Sequence, residues 1–252
     1  MAFYGDIFLD PGAQGTMTDR LDPPALELAE GLAHLWLEAA AERAGSEQDR
    51  REAARVLRQI DYSSPGAQGL AAAFRPTLNG LSKLRWFAPF GYGLAAKFVW
   101  RAVSQVALYL DDDRIRQKVQ SRLLNLIDSD TKLVIGHSLG SVVAYETLHH
   151  ATGRTALLTL GSPLGLKSVV YDKLRPAPPM VPEVVTRWDN IVDRDDLIAA
   201  RLDLSKLFAP HSKMEVVPTT HPSVDNGSRP HDATRYLTKP TTGSIIGEIL
   251  SA

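Results

Sequence analysis

Residues Thr131 to His150 read TKLVIGHSLGSVVAYETLHH. An apolar, β-branched run over Leu133 to Gly136 stops at Gly-His-Ser-Leu-Gly, and a segment of helical composition starts at once. The pattern predicts a strand, a very tight turn, and a helix over Leu139 to His150. A serine at such a turn takes strained dihedrals that lift its hydroxyl clear of the backbone. Glycines two residues to either side, Gly136 and Gly140, remove Cβ atoms that would collide. The helix that follows directs its dipole and its unpaired first-turn N–H groups at the same spot. Ser138 is therefore a candidate nucleophile and the Leu139 N–H a candidate oxyanion donor. The plainer alternative is a strand–helix turn that happens to hold a serine.

A serine hydroxyl needs a base, and the base needs an orienting acid. The acid is expected just past a later strand. VVTRWDNIVDRDDLIAA, from Val184, offers that context with Asp189, Asp193, Asp195 and Asp196. Asp196 is chosen because an apolar segment begins directly after it, with Asp193 and Asp195 as alternatives. Most of these carboxylates must be loop residues or helix N-caps. Three histidines follow. His211 precedes the last expected strand, Met214 to Val217. His221 follows that strand but is pinned by Pro222. His231 sits in NGSRPHDATRYL, a loop leading into a short helix, and is the preferred base. His137 is expected to turn away from Ser138 into neighbouring packing, and it is carried as a low-ranked candidate for the substrate pocket.

Working outward, strands alternate with helices from Leu133 onward: Ala156 to Leu160, Val184 to Trp188 and Met214 to Val217, with helical character in Asp196 to Phe208 and Thr242 to Leu250. That alternation predicts an α/β fold, a mostly parallel sheet with helices on both faces. Upstream, Pro23 to Ala44, Glu47 to Ile60, Gly93 to Leu110 and Asp111 to Ile127 read as helices, while Leu70 to Pro89 is mixed. LDPGAQG, from Leu9, and DYSSPGAQG, from Asp61, read as loops. This stretch is too long for one crossover. Residues from about 20 to 110 are therefore expected to form a helical cap inserted into a single domain spanning 1 to 252. Phe87, Phe90, Tyr92, Phe98 and Trp100 lie on or beside one of its helices; they suit either a roof over the site or an ordinary core.

The chain has 252 residues, 44% hydrophobic and 23% charged, enough for a sizeable core. Its formal net charge of −1, with basic residues scattered, argues against a nucleic-acid partner. Cysteine is absent, which removes disulfides, thiolate metal sites and a thiol nucleophile. No metal-ligand cluster or cofactor motif is read. No apolar run is long enough to span a bilayer, because Lys97 and Arg101 interrupt the nearest one. MAFYGDIF lacks a basic leader ahead of an apolar core, so no signal peptide is expected and a cytoplasmic location is.

From Lys132 onward, LVIGHSLGSVVAYETL, LLTLGSPLGL, RWDNIVDRDDLIA and VDNGSRPHDATRYL resemble, in order, motifs of the α/β-hydrolase superfamily, most of all its bacterial lipase- and acyltransferase-like members. The resemblance covers a little under half the chain. It implies a catalytic triad of Ser138, Asp196 and His231, and a small-molecule ester with an apolar acyl or lipid-like part as substrate. It also implies an acyl-pocket loop at Gly161 to Gly165, with Ser162, Pro163 and Leu164 as lining candidates; an ordinary Gly-Pro turn is the alternative there. One departure stands out. Such enzymes carry an earlier strand ending in His-Gly, whose loop supplies the second oxyanion donor. This chain has no His-Gly. A strand at Ala2 to Tyr4 is expected instead, and three explanations stay open: a start upstream of Met1, an N–H from Asp6 or Ile7, or a relative that no longer catalyses.

Overall fold

The computed structural model describes residues 1–8, 21–62, 70–84, 86–87, 94–199, 203–211 and 215–252. The chain divides into two units. Asp10–Asp112 forms one, and Met1–Leu9 joins Asp113–Ala252 in the other.

The first unit is helical. Helix α1, Pro23–Arg43, opens with Asp22 accepting from the Ala25 N–H at 3.0 Å and with proline at its first positions, where a missing N–H costs nothing. Its inward face, Leu28, Leu32, Ala33, Trp36, Leu37 and Ala40, follows the helical repeat and is buried. Helices α2, Glu47–Tyr62, and α3, Leu70–Lys83, pack so closely that a Cβ on Gly80 would lie 2.7 Å from Val56 Cγ1. Helix α4, Leu94–Asp111, completes the unit, burying Val99, Val103 and Ala107. Phe87 is fully buried within the unit, its ring 6.3 Å from Phe98. Of the aromatics considered for a roof, Phe90 and Tyr92 lie outside the described residues, as do the Leu9 loop and most of the Asp61 loop.

The second unit is α/β. Helix α5, Asp113–Leu124, precedes strand β1, Leu133–His137; helix α6, Leu139–Leu148, leads to β2, Thr155–Leu160. Strands β3, Val185–Asp193, and β4, Thr219–Val224, follow, then helices α7, Ala233–Leu237, and α8, Pro240–Ser251. The four strands are all parallel, in the order β1-β2-β3-β4. Every residue of β2 is buried, as expected of a parallel strand covered on both faces. One face carries Ala156, Leu158, Leu160 and Ile191 against Tyr236, Ile245 and Ile249 of α7 and α8. On the other, Trp188 packs 5.7 Å from the Tyr145 ring of α6 and donates to Thr159 Oγ1. The register sets His137 level with Leu160, and Leu160 level with Ile191. The C-terminal ends of three strands therefore share one edge, where open α/β sheets place their ligands.

Three expectations change. The last strand is Thr219–Val224, not Met214 to Val217, so His221 and Pro222 lie inside it; Met214 itself is outside the described residues. β4 ends the sheet, and an edge strand tolerates a proline that a central one would not. Ala2 to Tyr4 forms no strand; a 3₁₀ turn follows at Gly5–Phe8. Between Asp196 and Phe208 the described residues make turns rather than a helix.

Candidate functional site

Ser138 has φ 53° and ψ −130°, and it alone among the described non-glycine residues has a positive φ. Such strain persists only where surrounding structure enforces it. Here β1 and α6 do so from either side: a Cβ on Gly136 would lie 2.6 Å from both the Gly140 carbonyl oxygen and Ser141 Cα. Behind the turn, Ser141 Oγ donates to the Ser138 carbonyl at 2.6 Å and meets Ser162 Oγ at 2.6 Å, while the Leu164 N–H donates to Ser162 Oγ. Counting protons fixes the direction. A carbonyl only accepts, so Ser141 spends its proton there, and Ser162 must donate to Ser141. Ser162, Pro163 and Leu164, expected to line a pocket, are buried, and Ser162 braces the turn through Ser141.

Asp196 and His231 meet. His231 Nδ1 lies 2.8 Å from Asp196 Oδ2, the carboxylate being fully buried. Tyr236 donates its hydroxyl to the same oxygen at 2.8 Å, and the Ile198 N–H donates to Oδ1 at 3.0 Å. The Tyr236 oxygen in turn accepts the Asp193 N–H at 2.9 Å. Burial pushes the Asp196 carboxyl up, but the charge on His231 and the hydrogen bonds from His231 and Tyr236 outweigh it, leaving it below the ordinary range. An ionised Asp196 requires a proton on His231 Nδ1, and in the neutral ring it is then Nε2 that carries the lone pair. Gly161 makes the approach possible. Its φ is +52°, and a Cβ there would lie 2.6 Å from Asp196 Oδ2 and 3.1 Å from His231 Nδ1.

His137 joins this pair to the serine. Its ring packs 4.5 Å from that of His231, tilted by 38°, and its Nε2 lies 2.9 Å from the His231 carbonyl oxygen, to which it must donate. Burial, aided by the charge on His231, pushes its pKa down to about 4. His137 thus packs as a neutral ring against His231. Among the described residues the Ser138 hydroxyl makes no hydrogen bond. Contacts of that kind often tighten only when substrate arrives. The Ser138 side chain does not cap α6, which leaves the Leu139 N–H available to an incoming acceptor.

The other candidates are engaged elsewhere. Asp189 pairs with Arg187 at 2.6 Å and with His221 at 2.8 Å. Asp193 accepts the N–H groups of Asp195 and Asn226, tying the end of β3 to the loop after β4. His211 lies 3.8 Å from Glu183. Among the described residues, no cluster of three histidine or carboxylate side chains is placed to hold a metal, and no helix is long and apolar enough to cross a membrane. Tyr236 and Ser141 are participants that motif reading passes over, while Gly161 belongs to the GSPLG motif, where the resemblance implies only a pocket loop. Tyr236 follows His231 by five residues in ATRYL, a position with no signature of its own. No family model, curated protein or solved structure matches this chain.

Proposed function

We propose that this chain is a serine hydrolase of the α/β-hydrolase type, cleaving an ester or thioester of an apolar acyl or lipid-like small molecule. One observation carries the reading. Past the ends of consecutive parallel strands, a serine at positive φ lies next to a residue against which the imidazole of a buried Asp–His pair is packed. In the proposed reaction Ser138 Oγ attacks the carbonyl carbon and His231 Nε2 takes its proton. The carbonyl π pair moves to oxygen, which accepts a hydrogen bond from the Leu139 N–H. Collapse expels the alcohol or thiol, which recovers the proton from Nε2. Water, deprotonated by the same nitrogen, then attacks the acyl carbon, and collapse breaks the bond to Ser138 Oγ, which takes the proton back from Nε2 as the acid leaves.

The test is labelling of the full chain with a fluorophosphonate, beside turnover of acyl esters of increasing length. Wild type is expected to be modified at Ser138 and Ser138→Ala to stay unmodified, with kcat/KM rising with acyl length. A folded wild-type chain that is neither labelled nor active rejects the reading. A second reading, a non-catalytic or acyl-transferring relative, is favoured by the N-terminal segment, where no strand forms and the Ile7 N–H is already bonded to the Tyr4 carbonyl at 3.0 Å. Transfer to an added alcohol in preference to water, or ligand binding indifferent to Ser138→Ala, would select it.

A further inference from the structure

Acyl chemistry at Ser138 leaves negative charge on one oxygen, and a single N–H from Leu139 is half of the usual provision. The usual second donor in such enzymes is a backbone N–H from the loop after an earlier strand, and among the described residues no strand precedes β1. The Ile7 N–H does not replace it, being bonded to the Tyr4 carbonyl at 3.0 Å. What the same segment does bring to the serine turn is a phenol. A Cβ built on Gly140, two residues past Ser138, would lie 3.1 Å from the Tyr4 hydroxyl. The ring is half-buried and is met edge-on by Phe8, with centroids 6.4 Å apart. Among the described residues the Tyr4 hydroxyl makes no hydrogen bond. A half-buried hydroxyl without a protein partner, set against the first turn of the nucleophile's helix, is a donor in search of an acceptor.

We propose that Tyr4 is the second oxyanion donor, its O–H and the Leu139 N–H together receiving the oxygen of the tetrahedral intermediate. This rests on the serine-hydrolase reading above. No proton leaves the tyrosine. It donates a hydrogen bond as the carbonyl π pair moves onto oxygen and relaxes when that pair returns to expel the leaving group. Burial pushes the phenol up to about 12, so it keeps its proton across the working pH range. The arrangement also explains Gly140. Alanine is ordinarily the better residue in a helix, but a methyl group there would press on the Tyr4 hydroxyl.

The experiment is steady-state hydrolysis of p-nitrophenyl butyrate by the full chain and by Tyr4→Phe, Gly140→Ala and the double variant, with fluorophosphonate labelling alongside. Tyr4→Phe keeps the ring and its contact with Phe8, and it is expected to lower kcat about 100-fold with KM little changed. A boronic acid that mimics the intermediate should lose affinity by a similar factor. Gly140→Ala is expected to lower kcat as well. The double variant should be no worse than the poorer single one, since both remove the same donor. Tyr4→Phe with wild-type kcat and wild-type boronate affinity overturns the proposal while labelling at Ser138 persists. A wild-type chain that is neither labelled nor active overturns the hydrolase reading and this proposal with it.

Discussion

Asp196 carries more hydrogen bonds than a carboxylate needs merely to be buried. Three donors converge on it, and one, Tyr236, is itself fixed by the Asp193 backbone. The phenol shares the carboxylate's charge with His231 and settles which oxygen faces the imidazole. In the proposed reaction, Tyr236→Phe should therefore act through His231. With the hydroxyl gone, more negative charge is left for His231 and the imidazolium is favoured. The acid limb of the kcat/KM profile should move to higher pH, with kcat lowered about tenfold. The Asp193 N–H would lose its acceptor in a buried setting, at a cost of about 1–3 kcal/mol in stability. A pH–rate profile with an unmoved acid limb would make Tyr236 a structural residue only.

Strand ends and loops are pinned to one another by single polar contacts, and His137 is one of them. It links the end of β1 to the loop between β4 and α7. Its depressed pKa has a definite stability consequence. Below about pH 6.5 the unfolded chain protonates this histidine while the folded chain refuses the proton until about pH 4, so stability that is complete above 6.5 is lost as pH falls through that window. The span corresponds to about 3 kcal/mol at most. His149, lowered likewise by burial, titrates in the same window. Denaturant unfolding at pH 7 and pH 5 should show wild type losing stability, and His137→Gln losing distinctly less of it. Equal losses would place the acid sensitivity elsewhere. The elements themselves were unevenly legible. Capped, periodic helices such as α1 and the β1–turn–α6 unit follow directly from spacing, because their determinants are local. β4 does not: Thr-Thr-His-Pro-Ser-Val lacks alternation, and it becomes a strand through its pairing with β3 and the His221–Asp189 contact. The meeting of Asp196 with His231 could be read from strand succession. Tyr236 and Tyr4 could not, because register and loop packing, rather than sequence neighbours, bring them beside Asp196 and Gly140.

At the scale of the whole molecule, the chain's first nine residues fold with its last 140, and the helical unit is inserted between them in sequence. Such a long excursion places the closure cost of the sheet unit on a short segment, so few contacts must hold it. They are identifiable: Asp6 pairs with Arg122, the Arg122 guanidinium also donates to the Phe3 carbonyl at 3.1 Å, and Phe8 is only 5% exposed. The ion pair is exposed and contributes little. Phe8 is then the anchor. Phe8→Ala should destabilise the sheet unit by about 3 kcal/mol. Trp188 is the one tryptophan of the four within that unit, so a chain with Trp36, Trp86 and Trp100 replaced by phenylalanine reports its unfolding alone. In that background Phe8→Ala should lower the denaturant midpoint of the Trp188 signal. It should also release Tyr4 from its edge contact and depress turnover at temperatures where the sheet unit is still folded. An unchanged Trp188 transition would show that the N-terminal segment does not belong to the sheet unit's cooperative fold, and the assignment of Tyr4 to the site would lose its structural support.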